Sequence, residues 1–465
     1  VLSFGSSDDP PVTHHEDPTV TTAEAADVMT QQDSISIARA AGVNPLDYMR
    51  ARGFVQDVTD EDGLRAAFAA GPVTFYQGFD PTATSLHAGG LLGIMMLSTL
   101  QRFGHRPIAL GGGGTAMVGD PTGKTSTREV LTLDQINANL AGILPQFAKL
   151  VDFEGGRFLQ DPPNPAALMV NNADWLLDIR WIPFLRDIGR HFSVNEMLAA
   201  ETYRNRLEHG LNFVEFNYRL VQSYDFLHLF RTEGCLLQLG GSDQWGNIVG
   251  GVDLVRRADG AKVFGMVCPL LTTATGEKMG KTAGNSVWLD ADLLSPFDFF
   301  QYWVNCDDRD VEKLLRFYTF LPDERIAELV NVQDPAALRE AKRVLATEVT
   351  ALVHSRAAAD AAGEAARSLF SGARSAASMI DDPNLPTVTI PAGEVDGTLS
   401  VADAFVRAGL ASSRGDARRT AQQGGLSIDD QKVENVDHPL DEVLTGRTVV
   451  LLRSGKKRFM RLVIE

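Results

Sequence analysis

Residues 73–114 read VTFYQGFDPTATSLHAGGLLGIMMLSTLQRFGHRPIALGGGG, and this stretch decides the fold. VTFYQGF (73–79) has the aromatic and β-branched content of a strand. HAGGLLGIMMLSTLQRFG (87–104) opens on small residues and becomes an apolar helix. RPIALGGGG (106–114) is a second strand running into four glycines. Strand, loop, helix and strand within about 40 residues make a βαβ unit and imply a parallel sheet. Ligands of such sheets lie beyond the carboxyl ends of the strands, where these loops sit.

The glycine run continues as GGGGTAMVGDPTGKT (111–125). A P-loop needs four residues between its glycine and Gly-Lys-[Ser/Thr], so that amides cradle the phosphates. Gly119 and Gly123 have only three between them. The stretch is therefore a tight turn or part of another kind of nucleotide site.

At 465 residues the chain is too long for one core and implies two to four domains. Its 44% hydrophobic and 22% charged content suits a soluble globular protein. The longest apolar runs, such as LLGIMML (91–97), are too short to span a membrane. Cys235, Cys268 and Cys306 lie far apart, as buried thiols of a reducing compartment do, rather than as a zinc or disulfide frame. No metal-binding set is expected. The net charge of −17 argues against nucleic-acid binding, but it is uneven. Residues 1–34 hold seven acidic residues and no Lys or Arg, whereas residues 399–465 hold eleven basic and nine acidic ones.

Composition divides the chain. Residues 1–36 read as a disordered acidic tail, without the arginines of a mitochondrial transit peptide or the apolar core of a secretory signal. A start at Val1 fits a processed or truncated chain. Residues 37–290 read as an α/β domain, mostly helical over 131–235, with a further strand at 236–247. A Gly/Thr/Lys loop and a short strand follow at 269–290. Residues 291–370 are helix after helix, and 371–396 is a linker by composition. Residues 397–465 form a small module with two short helices (401–425) and a strand pair around Ser454-Gly455.

Three motifs carry the chemistry. In SLHAGG (85–90) a histidine meets a helix N-terminus, where free amides and the dipole attract anions. In KMGKT (278–282) two lysines three apart suit phosphates whose charge grows during a reaction. The third is the glycine loop. Taken singly, these are a helix cap, a surface loop and a turn. Their order is more specific, and with GGSDQWGN (240–247) it resembles the class I aminoacyl-tRNA synthetases. YQGFDPTATSLH, GDPTGK, NNADW, YRLVQSYDF and GGSDQWGN resemble the tyrosyl-tRNA synthetases of bacterial and organellar type. The resemblance is dense over 45–330 and looser over 399–465.

The resemblance implies a Rossmann-like parallel-sheet catalytic domain with a helical insertion. An α-helical anticodon-binding domain and a small α+β RNA-binding domain are expected to follow. It implies ATP with Mg2+, L-tyrosine and tRNA(Tyr) as partners, a homodimer, no membrane, and a cytoplasmic location, or else a mitochondrial or plastid matrix. His87 and Gly89 match the first ATP motif, where Gly90 replaces the family's second histidine. Lys278, Met279, Lys281 and Thr282 match the second motif. Tyr76 and Asp225 match the pair that bonds the tyrosine phenol. Asp120, Tyr218 and Gln222 match the holders of its amino group, and Asn172 a residue beside them. The spacing of Tyr218, Gln222 and Asp225 also puts them on one helix face. Asp80 and Thr82 match contacts to ATP and the transition state. Gly240, Asp243 and Gln244 match the loop that meets ribose and carboxylate. Lys124 and Arg128 are expected to swing toward pyrophosphate. Arg256, Arg257, Arg414, Arg418, Arg419, Lys432, Lys456, Lys457 and Arg458 are candidates for tRNA phosphates.

A tryptophanyl enzyme shares these loops, but an indole has no hydroxyl for Tyr76 and Asp225. A nucleotidyltransferase lacks use for the helical region and the basic end. A synthetase-derived RNA-binding or splicing protein has no need to retain His87, Lys278 and Lys281.

Overall fold

The computed structural model describes residues 33–120, 131–199, 203–204, 207, 210–276, 279–282, 285–330, 335–370, 380, 385–395, 397–455 and 458–465. For 281–282, 285, 335 and 368–370 the backbone alone is described. The larger sheet has six strands: β1 (Asp57–Val58), β2 (Thr74–Phe79), β3 (Arg106–Gly111), β4 (Leu168–Asn171), β5 (Leu237–Gly241) and β6 (Phe264–Cys268). Their spatial order is β1-β6-β5-β2-β3-β4. All neighbours are parallel except β1 and β6. The chain moves outward from β2 through β3 to β4 and then returns to β5 on the other side. The ends of β2 and β5 therefore flank the crevice in which open α/β sheets bind ligands.

The βαβ unit follows its sequence. Helix Ala88–Arg102 connects β2 to β3 and is buried almost throughout, as its apolar text requires. The four glycines divide their work. Gly111 ends β3, and Gly113–Val118 forms a short helix ending at Gly119, whose φ of 81° suits glycine. At Gly112 a Cβ atom would fall 2.3 Å from Asp80 Oδ1, so only glycine lets the ends of β2 and β3 converge there. Helix Phe213–Glu233 starts at a reciprocal Asn212–Glu215 capping box and stops at the left-handed Gly234.

Several expectations need correction. Strand β4 lies within 131–235, which reads as mostly helical. It is four residues at a sheet edge and carries no alternation to detect. Strand β6 is a five-residue, wholly buried apolar run, which periodicity cannot assign. The acidic tail stops short of residue 36, because Asp33 caps helix Ser34–Ala40 and pairs with Arg102 at 3.4 Å. The linker ends before residue 396. Strand β9 (Thr387–Ile390) joins β10 (Leu426–Ile428), β11 (Gln431–Lys432), β12 (Val449–Ser454) and β13 (Arg458–Ile464) in a sheet ordered β11-β10-β12-β13-β9, counting on from the β7–β8 pair given below. Alternate residues of this sheet and helix Val401–Arg407 enclose a separate small core.

Helices Pro296–Val304, Val311–Tyr318, Asp323–Leu329, Pro335–Val353 and Arg356–Phe370 follow the larger sheet and share its core. Arg52 is 1% exposed. Its guanidinium donates to the carbonyls of Leu315, Arg316, Thr319 and Leu321, so the end of Val311–Tyr318 is satisfied from outside its own domain.

Candidate active site

The site forms at the carboxyl ends of β2, β3, β4 and β5. Tyr76 projects from β2 and is 1% exposed. Its ring packs edge-on against Phe226 at 5.4 Å, and its hydroxyl has no hydrogen-bond partner among the described residues. Asp225 faces it from helix Phe213–Glu233 and is also 1% exposed. Both carboxylate oxygens accept: Oδ2 from Asn172 Nδ2 at 2.9 Å and Oδ1 from Trp175 Nε1 at 2.8 Å. Burial nevertheless outweighs those bonds and raises the Asp225 pKa to about 7, with the nearby Asp80 charge acting in the same direction. Burial and then the Asp225 charge push the Tyr76 phenol well above its ordinary value.

Asn172 ties the pocket to the glycine loop. Its Nδ2 also donates to Thr115 Oγ1 at 3.0 Å, and its Oδ1 accepts from Gly114 N at 2.8 Å. Thr115 Oγ1 donates to Asp80 Oδ1 at 3.1 Å, and Tyr218 reaches Asp80 Oδ2 at 3.5 Å. Tyr218, Gln222 and Asp225 share the inner helix face, and Gln222 Oε1 is buried without a partner among the described residues. Gln244 Nε2 donates to Asp120 Oδ2 at 2.7 Å, while Asn247 Nδ2 donates to Gln244 Oε1 at 3.1 Å. Asp243 lies in the same turn after β5, and Gly240 is buried within β5. Thr82 is exposed in the turn after β2, its amide bonded to Asp80 O.

The first and second ATP motifs also meet. His87 caps helix Ala88–Arg102, its Nδ1 accepting from Gly89 N at 3.0 Å. It forms a bridge with Trp288, and Ala88 N donates to Val287 O at 2.8 Å. The lysine loop closes through β7 (Lys281–Thr282) and β8 (Asn285–Ser286). A Cβ at Gly280, whose φ is +93°, would lie 3.1 Å from both Gly89 N and His87 Nδ1. Met279 is buried beside it. A Cβ at Gly90 would press on Leu86 at 3.3 Å, which favours the smallest residue in place of the second histidine.

Lys124, Arg128, Lys278, Lys456 and Lys457 lie outside the described residues, and Lys281 and Thr282 are described as backbone only. The candidate cations for tRNA are scattered. Arg256 pairs with Asp253 at 2.9 Å, and Arg257 bonds His191 O. Arg414 pairs with Asp403, Arg418 with Asp437 at 2.7 Å and Arg419 with Asp416 at 3.4 Å. Arg458 bonds the carbonyls of Gly409 and Leu410, and Lys432 is exposed. Thr115 and Trp175 escaped the sequence reading. Each lies in a motif already quoted, at the end of the glycine run and three residues after Asn172.

Residues 69–371 match the model of the tRNA synthetases class I (W and Y), and residues 382–462 match the tyrosine–tRNA ligase SYY-like C-terminal domain. The chain belongs to the tyrosine–tRNA ligase family. A tyrosine–tRNA ligase of Desulfosudis oleivorans is 47% identical over 442 residues, covering 90% of this chain and 99% of the relative. One from Clostridium botulinum (strain Loch Maree / Type A3) is 45% identical over 422 residues, covering 91% and 100%. Among solved structures, a C-terminally truncated Aspergillus nidulans mitochondrial tyrosyl-tRNA synthetase superposes with a TM-score of 0.63. It is 32% identical and covers 72% of this chain and 97% of that one.

The raised pKa of Asp225 makes stability depend on pH. A carboxyl raised from its ordinary value to about 7 favours folding fully below about pH 4, and that contribution is lost as pH rises through 7. Asp225→Asn does not titrate. The melting temperature of the native chain relative to Asp225→Asn should therefore fall between pH 4 and 7.5, by the equivalent of roughly a few kcal/mol. A difference independent of pH would show that Asp225 is ionised throughout.

Proposed function

We propose that the chain joins tyrosine to tRNA(Tyr) in two steps. A tyrosine carboxylate oxygen attacks the α-phosphorus of ATP in line, and the bond to the bridging oxygen breaks to release pyrophosphate. The terminal ribose hydroxyl of the tRNA then displaces AMP from the tyrosyl carbonyl. The first step needs alignment and positive charge on the leaving group more than proton transfer, which suits a site of glycines and lysines. Mg2+ enters as the ion carried by the ATP phosphates.

One observation carries the choice of amino acid. Tyr76 and Asp225 offer a buried hydroxyl and a buried carboxylate to the same space, and the Tyr76 hydroxyl is unpartnered among the described residues. A phenol bonds both, whereas a phenyl ring leaves the Tyr76 hydroxyl unpaired and gives Asp225 no further donor, and an indole places no hydroxyl there. Tyrosyl enzymes as a class discriminate against phenylalanine by about 10⁵. Asp120, Tyr218 and Gln222 take the ammonium, with Gln244 steering Asp120. Asp80 and Thr82 meet the nucleotide, with Asp243 at its ribose. His87, Lys278 and Lys281 take the triphosphate, and Lys124 and Arg128 the departing pyrophosphate.

The helical region 291–370 serves the anticodon side, and the C-terminal module holds tRNA backbone. Arg256, Arg257, Arg414, Arg418 and Arg419 reach it by exchanging carboxylate for phosphate, since exposed ion pairs contribute only about 0–1 kcal/mol. A cytoplasmic setting accords with the bacterial relatives, and no helix among the described residues is long and apolar enough to cross a membrane.

A homodimer is supported by an exposed apolar face. Leu177, Trp181, Ile182, Val194, Phe213 and Val214 of the helical insertion are exposed, Ile182 70% and Phe213 66%, and the Trp181 and Phe213 rings meet at 6.4 Å. An apolar patch of this kind marks an interface. Ile182→Glu with Phe213→Glu should halve the mass measured by light scattering, and an unchanged dimer places the contact elsewhere.

Labelled pyrophosphate should exchange into ATP with tyrosine and with neither phenylalanine nor tryptophan. Asp225→Ala should lose most of the discrimination against phenylalanine. Equal exchange with tryptophan, or none with tyrosine, contradicts the assignment.

A further inference from the structure

Two tyrosines of the helical domain touch the two ATP motifs from below. Tyr302 lies on helix Pro296–Val304, and its hydroxyl accepts from Gly280 N at 3.3 Å. In sequence, Gly280 stands between Lys278 and Lys281. Tyr318 ends helix Val311–Tyr318 and is fully buried. Its hydroxyl donates to Ala88 O at 2.9 Å, one residue beyond His87. Both rings pack on the buried Trp303, Tyr302 at 5.2 Å and Tyr318 at 4.9 Å between centroids. The motifs are also linked through Val287: its amide donates to Gly280 O at 2.9 Å, and its carbonyl accepts from Ala88 N at 2.8 Å. Each motif is thus bonded to Val287 and to one tyrosine of a single aromatic cluster.

We propose that Tyr302 and Tyr318 are positioning residues that set the stance of the lysine loop against His87, so that the tRNA-side helices bear on the ATP site through two hydroxyls. This rests on the reading of the site as one that activates tyrosine with ATP. The lysines act on charge that develops as pyrophosphate leaves, so a loosened loop costs rate rather than ground-state binding of the amino acid. Tyr302 and Tyr318 bond Gly280 and Ala88 rather than Tyr76 or Asp225, so tyrosine affinity should not move.

Tyr302→Phe removes one acceptor and keeps the ring. In tyrosine-dependent pyrophosphate exchange it should lower kcat roughly 2–10-fold, the scale of one neutral hydrogen bond, with KM for tyrosine and the melting temperature unchanged. Tyr318→Phe leaves a buried carbonyl short of a donor and should melt earlier. In its folded fraction it should still show lowered kcat at an unchanged KM for tyrosine. An unaltered kcat in both variants, or a KM for tyrosine that moves with kcat, overturns the proposal. Wild-type protein without tyrosine-dependent exchange overturns the functional reading as well, whereas normal wild-type exchange beside unmoved variants overturns this proposal alone.

Discussion

The site depends on one buried carboxyl. Asp225 sits almost without solvent, its two oxygens held by an amide and an indole donor, opposite a phenol with no partner among the described residues. A buried charge is costly unless its bonds are complete. Burial answers part of that cost by raising the pKa to about 7, so the group sits near half-protonation in neutral solution. In the proposed function a substrate hydroxyl supplies the missing bond. Recognition and the relief of an unfavourable burial are then the same event.

The fold exists around that carboxyl in a specific sense. Asn172 follows β4, Thr115 follows β3, Asp80 follows β2, and Asp225 comes from the helix lying across them. Hydrogen bonds of 2.9, 3.0 and 3.1 Å join them in series. Parallel strands deliver their carboxyl ends to one edge, which alone allows three separate strand ends to be wired together. Gly112 removes the side chain that would keep Asp80 and Thr115 apart. The glycine run is therefore spacing that lets Asp80, Thr115 and Asn172 meet, and in the proposed function the phosphates fall to His87 and the lysine loop.

Much of this is legible in sequence because it is local. The strand, loop, helix and glycine run of 73–114 are contiguous, and Tyr218, Gln222 and Asp225 share a face by spacing alone. What sequence hides is made through space. Trp175 bonds Asp225 across 50 residues and Thr115 bonds Asn172 across 57, with no periodicity to announce either. Strands β4 and β6 are short and uniformly apolar or half-buried, so they lack the alternation that marks a strand. The C-terminal arginines look like a free basic patch in sequence, yet Arg414 and Arg418 find carboxylates 11 and 19 residues away. The Gly90 replacement is legible as an oddity, while the tight space that a Cβ would meet at Leu86 is not.

The central claim is that the ionised form of Asp225 receives the substrate phenol. Titration calorimetry of tyrosine into the protein at pH 7, repeated in buffers of different ionisation enthalpy, measures protons released on binding. With a pKa of about 7 before tyrosine binds, roughly half a proton should be released per tyrosine, and Asp225→Asn should abolish the release. Binding of tyrosine with no proton released, or with a proton taken up, would mean that the carboxyl does not pass from partly protonated to ionised on binding and would contradict the account.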